Sequence, residues 1–195
     1  MKQVLIINGG NSFSSYEAYL NDLTAMSIDY NRLLPKKRWR DWIADQLADS
    51  DVLLPSFPNS QNAVYEEWKI YFEKIIPLLD DDVSLVGHSL GAMFLAKYLQ
   101  DNPLRDKVKR LVLIAPGYND DSLEDLGSFE ITSASNLIES TDEIHLFHSK
   151  DDPVVSFGEL AKFHADIPTA QTHMFSDRGH FLDETFPELL EILQQ

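Results

Sequence analysis

The stretch Val83-Ser84-Leu85-Val86 runs without a break into Gly87-His88-Ser89-Leu90-Gly91, and an apolar helical pattern follows over Ala92–Leu99. A strand must therefore turn into a helix within a few residues, with a serine at the apex. Such a bend forces Ser89 into a strained backbone conformation. A side chain at either flanking glycine would collide with the neighbouring strand or helix. The start of the helix then sets backbone N–H groups and positive potential beside the serine hydroxyl. A glycine-rich turn without chemistry has a similar composition. The strand before the turn and the helix after it are what favour a nucleophile.

The same alternation extends along the chain. Strand-like runs lie at Val4–Ile7, Val52–Leu54, Val83–Val86, Leu111–Ile114, Ile144–Phe147 and Thr172–Phe175. Several are almost continuously apolar, as in parallel strands covered on both faces. Helical patterns fall between them at about 39–49, 62–78, 90–101, 157–165 and 186–194. In the second of these Val64, Trp68, Tyr71, Phe72 and Ile75 form a stripe. In the third, Ala92, Leu95, Ala96 and Leu99 do so, with Met93 and Phe94 adding apolar surface elsewhere. Strand–helix alternation of this kind predicts one α/β domain over residues 1–195, with a mostly parallel sheet and helices on both faces. Ligands of such sheets gather outside the carboxyl ends of the strands, so the residues just after each strand are the ones to inspect.

Charge narrows the partners. Thirty-two acidic against 16 basic residues give a formal net charge of −16, a field that repels phosphate backbones and anionic membranes. Neither a nucleic acid nor a membrane is an expected partner. The basic cluster Lys36-Lys37-Arg38 with Arg40 reads as the start of an amphipathic helix, since Trp39, Trp42, Ile43 and Leu47 fall on one face. With no cysteine, disulfides and thiolate chemistry are excluded, which suits a reducing cytoplasm. The run Val4–Ile7 is too short for a signal-peptide core, and nothing approaches the roughly 20 apolar residues of a membrane span. A cytoplasmic chain acting on a small molecule is expected, with the oligomeric state left open.

A serine hydroxyl needs a base to take its proton. Six histidines compete. His145 and His173 fall within strand-like runs, His164 within a helix, His148 at a strand end, and His88 flanks the serine with its ring expected to point away from the hydroxyl. His180, in the glycine-flanked loop after the sixth strand, stands where a base belongs in the order nucleophile, acid, histidine. For the acid, Asp151, Asp152 and Asp177 are candidates, and the turn Asp152-Pro153-Val154-Val155 favours Asp152. For an oxyanion hole, one donor is the N–H of Leu90. The other comes from the loop Asn8-Gly9-Gly10-Asn11, with Gly10 favoured and Asn11 second. That loop lacks the third glycine of a dinucleotide fingerprint, and no phosphate-binding P-loop is present. His145 and His148, three apart on a strand, point to opposite faces and cannot share an ion. Neither a cofactor nor a metal is expected.

Taken together, these residues resemble the small serine-hydrolase family typified by retinoblastoma-binding protein nine and its compact bacterial relatives. The likeness runs over nearly the whole chain. It rests on the glycine loop after the first strand, Leu54-Pro55-Ser56-Phe57-Pro58, Trp68, Gly-His-Ser-x-Gly at 87–91, Asp-Asp-Pro at 151–153 and Gly-His-Phe at 179–181. The resemblance implies a compact α/β-hydrolase fold with a six-stranded sheet and a triad of Ser89, Asp152 and His180. In the family the aspartate just before the proline is the acid, which supports Asp152 over Asp151. Two departures stand out: a longer stretch from Ser12 to Ser50, implying an extra helix or loop beside the site, and Asn8 where many hydrolases carry histidine or proline. The family's retinoblastoma contact does not carry over, because its usual peptide signature needs a cysteine.

The expected chemistry is carboxylesterase-like cleavage of small or exposed esters or thioesters. A binding module that has lost catalysis, or a peptidase or acyltransferase on the same triad, are the alternatives. Only a short segment, about Gly117 to Glu143, occupies the place where larger hydrolases insert a lid. Asp120, Asp121, Glu124, Asp125 and Glu130 within it suggest an acidic mouth.

Overall fold

The computed structural model describes residues 2–104, 108–119 and 124–195, with Arg32 described by its backbone alone. Six strands form one sheet: β1 (Lys2–Ile7), β2 (Ser50–Leu53), β3 (Val83–His88), β4 (Val108–Ile114), β5 (Glu143–Ser149) and β6 (Gln171–Phe175). Their order is β2-β1-β3-β4-β5-β6, and every neighbouring pair is parallel. The apolar runs read from the sequence are thus strands of a wholly parallel sheet, with β3 buried along its entire length.

Side chains alternate between the two faces, as the pleat requires. Leu5, Leu85, Leu111 and Leu146 pack on one face beneath α4 (Tyr65–Ile75), α5 (Leu90–Asp101) and α7 (Glu159–Asp166). Val4, Ile6, Val86 and Val112 pack on the other, beneath α3 (Trp39–Gln46) and α8 (Pro187–Gln194). The architecture is the compact α/β-hydrolase arrangement. Helix α5 lies deepest, with nine of its residues buried from Leu90 to Leu99. At its middle Phe94 meets Phe57, Tyr65, Trp68 and Phe72, with ring centroids 5.5, 5.7, 5.7 and 5.4 Å away. No described helix is long and apolar enough to cross a membrane.

Two elements depart from the sequence reading. The stripe from residue 62 includes Val64, yet α4 starts at Tyr65 and Val64 is its exposed N-cap. Residues before it are held in turns instead: Asn62 N–H donates to Asn59, Ala63 N–H donates to Asn11, and Ala63 bridges to Ser12. The Ser12–Ser50 extension carries two helices that periodicity does not reveal, α1 (Tyr16–Ala25) and α2 (Tyr30–Leu33). None of α1's residues is buried, so it has no apolar stripe to read. Ser15 caps it through its hydroxyl, and Ser14 ties the preceding turn to the Asp125 carboxylate. A short helix α6 (Leu137–Ser140) precedes β5.

Strand order also locates the crevice. From β1 the chain moves outward to β2, whereas from β3 it moves the opposite way to β4. The loops leaving β1 and β3 therefore diverge, and a cleft opens between them at the carboxyl edge.

Phe94→Ala is expected to cost about 3–5 kcal/mol in urea-denaturation stability, as a fully buried aromatic in a packed cluster does. Leu78→Ala, at a side chain 72% exposed, should shift stability by no more than about 0.5 kcal/mol.

Candidate active site

The turn from β3 into α5 has the strain its sequence calls for. Ser89 sits at φ 54°, ψ −123°, and its N–H donates to Ile114 at 2.8 Å, which pins the apex to β4. A Cβ at Gly87 would lie 2.5 Å from the Ala92 Cα, and one at Gly91 would lie 2.4 Å from the Ile7 carbonyl oxygen. Both glycines are therefore obligatory for this approach of helix to sheet. Ser89 is the N-cap of α5, yet its side chain makes no capping bond, so the hydroxyl is not consumed by the helix. In the first helical turn the N–H groups of Ala92 and Met93 donate to the Ser89 carbonyl, while that of Leu90 has no main-chain acceptor among the described residues.

The loop leaving β1 passes directly over this apex. A Cβ at Gly9 would meet the Ser89 Cβ at 2.9 Å, and one at Gly10 would meet the Ser60 carbonyl oxygen at 2.3 Å. Asn11 donates its N–H to Ser60 at 2.8 Å and so is not available to a ligand. Of the two donors weighed from the sequence, Gly10 retains an uncommitted main-chain N–H among the described residues.

From the far side of the sheet two strand-end loops converge. His180 Nδ1 lies 2.8 Å from Asp152 Oδ2, with side-chain exposures of 9% and 2%. The other oxygen, Oδ1, accepts the N–H groups of Val154 and Val155 at 2.8 and 3.1 Å. Burial works against ionisation of Asp152, but the imidazole and the two amides outweigh it and hold the carboxyl below the ordinary carboxylate range. Its neighbour Asp151 does something else. It is exposed, takes a hydrogen bond from Ser149 Oγ and another from the Gly179 N–H, and so braces the loop that carries His180. Asp177 is exposed and stays outside this arrangement.

The remaining histidines are accounted for. His88 Nε2 donates to the His180 carbonyl at 2.8 Å and its ring lies edge-on to Trp39, so it anchors the main chain of His180 from beneath. Burial, then the neighbouring His180 ring, drives the His88 pKa down to about 3. His148 is buried beside Asp152 and is lowered to about 4 by desolvation. His145 points to the other face of β5, as spacing requires, and its Nδ1 meets His173 Nε2 at 3.1 Å. His164 lies exposed on α7. Among the described residues no group of three histidine, aspartate or glutamate side chains is arranged to hold a metal ion.

Gly10, Ser89, Leu90 and His180 line one cavity of about 580 Å³. Val154 and Val155 lend it an apolar wall, and Asp22 and Met26 reach it from α1 and its C-cap. Its mouth is not simply acidic. Glu124 and Asp125 border it, but so do Arg38 and Arg40. Glu130 lies outside, with its carbonyl accepting from Lys97, and Asp120 and Asp121 fall outside the described residues. The two arginines were the signal that helical periodicity alone passes over. Trp39, Ile43 and Leu47 are buried as the stripe predicts, while Arg38 and Arg40 border the cleft and Lys36 and Lys37 do not.

A family model for serine hydrolases matches residues 33–194. Serine hydrolase RBBP9 of Rattus norvegicus is 25% identical over 163 residues, which covers 80% of this chain and 84% of that protein. The putative hydrolase YdeN of Bacillus subtilis is 28% identical over 160 residues, covering 77% and 82% respectively. The crystal structure of the ydeN gene product matches with a TM-score of 0.77 at 23% identity, over 100% of this chain and 97% of that one. Est1E of Butyrivibrio proteoclasticus, with ferulic acid bound, matches at a TM-score of 0.63 and 14% identity, over 100% and 87%. At such identities the structural likeness speaks for the fold alone.

The buried histidines carry a consequence for stability. His88, His145 and His148 are held at about 3, 4 and 4, chiefly by desolvation, against roughly 6.5 in an unfolded chain. Between pH 6.5 and 5 the unfolded chain therefore binds more protons, and stability must fall as pH falls. Most carboxylates titrate below that window. Urea midpoints should be level from pH 8 to 7 and drop steadily from 6.5 to 5, and a flat profile there would contradict neutral buried histidines.

Proposed function

The chain belongs to the serine hydrolase family, and from that premise we propose that it cleaves small or exposed ester or thioester bonds through an acyl-enzyme on Ser89. The observation that carries this reading is the 2.8 Å contact of His180 Nδ1 with Asp152, whose histidine borders the same cavity as Ser89. With Nδ1 engaged by a carboxylate, the imidazole carries its proton there and leaves Nε2 basic. Nε2 then takes the proton from the Ser89 hydroxyl as Oγ attacks the carbonyl carbon.

The tetrahedral intermediate places negative charge on the former carbonyl oxygen. The N–H groups of Leu90 and Gly10 are the donors assigned to it, each commonly worth about 3 kcal/mol in the transition state. Asp152 keeps its negative charge and stabilises the imidazolium. Its own ionisation is secured by the Val154 and Val155 amides. Collapse of the intermediate expels the alcohol or thiol, to which His180 returns the proton. Water, deprotonated by the same nitrogen, then releases the acid and restores Ser89. The cavity of about 580 Å³ lies within the size range of small-molecule sites.

A fluorophosphonate probe should label the wild-type chain and leave Ser89→Ala unlabelled, and a folded wild type that takes no label overturns the reading. Aryl esters of increasing acyl length should be hydrolysed best at the short end. Asp152→Asn should lower kcat by on the order of 10³–10⁴, whereas Asp151→Asn, which leaves the His180 contact intact, should cost far less. The reverse order would reassign the acid.

A further inference from the structure

A second cavity, of about 280 Å³, lies beside the first, and the two share Asn8, Gly9 and Arg40. Their common boundary is thus the loop that passes over Ser89, closed on one side by a guanidinium. Phe57 and Trp68 give the second cavity aromatic walls, and Ser56 and Ser60 border it as well. The Trp68 indole N–H is already committed to the Pro58 carbonyl at 2.9 Å.

Arg40 is unusual among the arginines whose side chains are described. Arg38 donates to the Leu182 carbonyl, Arg110 pairs with Glu143, and Arg178 pairs with Asp183 and Glu188. Arg40, half-buried in the first turn of α3, has no hydrogen-bond, ion-pair or ring partner among the described residues. Its guanidinium donors are therefore not committed within the protein and can meet a group entering either cavity. Its placement is also rigid. The Trp39 N–H donates to Asp183 at 3.2 Å and the indole N–H to Phe181 at 3.0 Å, which staples the start of α3 to the loop holding His180.

The charges around it set an orientation. Asp41 also borders the second cavity but is exposed. Asp22, Glu124 and Asp125 border the first cavity but not the second, and the Asp125 carboxylate is already bonded to Ser14 and Gly127. The second cavity is thus bordered by one guanidinium and one exposed carboxylate, and the first by Arg38, Arg40 and three carboxylates. An anionic group on a substrate is therefore repelled less in the second cavity than in the first, and Arg40 is the cation that meets it there.

We infer that the second cavity is a carboxylate-recognising subsite, in which Arg40 pairs with a carboxylate of the substrate and so directs its ester bond to Ser89. The inference rests on the proposed role of Ser89. The substrate class is an ester or thioester that bears one free carboxylate, either in the acyl half, as in a monoester of a dicarboxylic acid, or in the leaving half. A planar guanidinium matches a carboxylate through two parallel hydrogen bonds, which an ammonium cannot reproduce.

Three aryl esters separate these cases: phenyl valerate, monophenyl glutarate with its carboxylate in the acyl half, and 4-carboxyphenyl valerate with its carboxylate in the leaving half. Arg40→Met should lower kcat/KM for one of the two carboxylated esters by about tenfold or more, the size of one charge-assisted contact. Phenyl valerate should change less than about twofold, a shift too small for a lost contact of that kind. Whichever carboxylated ester responds identifies the half that occupies the subsite. Arg40→Lys should recover only part of the loss. Lys37→Met removes the same charge outside both cavities and should leave all three rates unchanged. Equal losses on all three esters, no loss on either carboxylated one, or the same pattern from Lys37→Met overturns the subsite. Those results, with fluorophosphonate labelling and valerate hydrolysis intact, leave the hydrolase reading standing, whereas a wild type that neither labels nor turns over any ester overturns both.

Discussion

The start of α5 presses against the end of β1 so closely that no side chain fits at Gly91, whose absent Cβ would touch the carbonyl oxygens of Ile7 and Asn8. The carboxyl edge of the sheet is organised around that approach. It brings the first helical turn, with the uncommitted N–H of Leu90, beneath the Gly9–Gly10 loop. It also leaves Ser89 nowhere to go but upward into the cleft. The N–H of Ser89 bonded to Ile114 ties the same bend to β4, so three adjacent strands hold one strained residue. The cost of a non-glycine residue at φ 54° is met by burying α5 almost completely against the sheet.

Neutral and charged groups are sorted around this edge with some care. Under the cleft His88 is kept uncharged and serves as a donor to the His180 main chain. A protonated His88 would repel a positive charge on the His180 ring, whose centroid lies 5.0 Å away. Beside it, Asp152 is held ionised by two amide donors and by His180 itself. Asp151 stands one residue away with a similar pair of hydrogen bonds, but both serve the loop. Adjacent carboxylates thus divide between holding the imidazole and holding the backbone that carries it.

Much of this was legible in the residues. Continuous apolar runs announced parallel strands because both faces of each strand are covered, and glycines at 87 and 91 announced a bend that admits no side chain. Asp152 could be favoured over Asp151 because a proline follows it directly, and the structure brings Asp152 to His180. What stayed hidden had no periodic signature. Helix α1 buries nothing, so its residues alternate in no readable way. The basic cluster was legible as one helix start. The tryptophans account for the buried face, but only the chain's path shows that Arg38 and Arg40 end beside the cleft, because that placement depends on Trp39 reaching the His180 loop.

Helix α1 contributes Asp22 to the rim of the cleft while burying none of its own side chains. Its attachment runs through a serine cap and the Ser14–Asp125 bonds, and no layer of the core is built on it. Substitutions along it are therefore nearly free of folding consequences. The rim and the sheet can drift at different rates, so descendants of this chain could acquire new entrance preferences while inheriting the serine, the histidine and the strands that hold them unchanged.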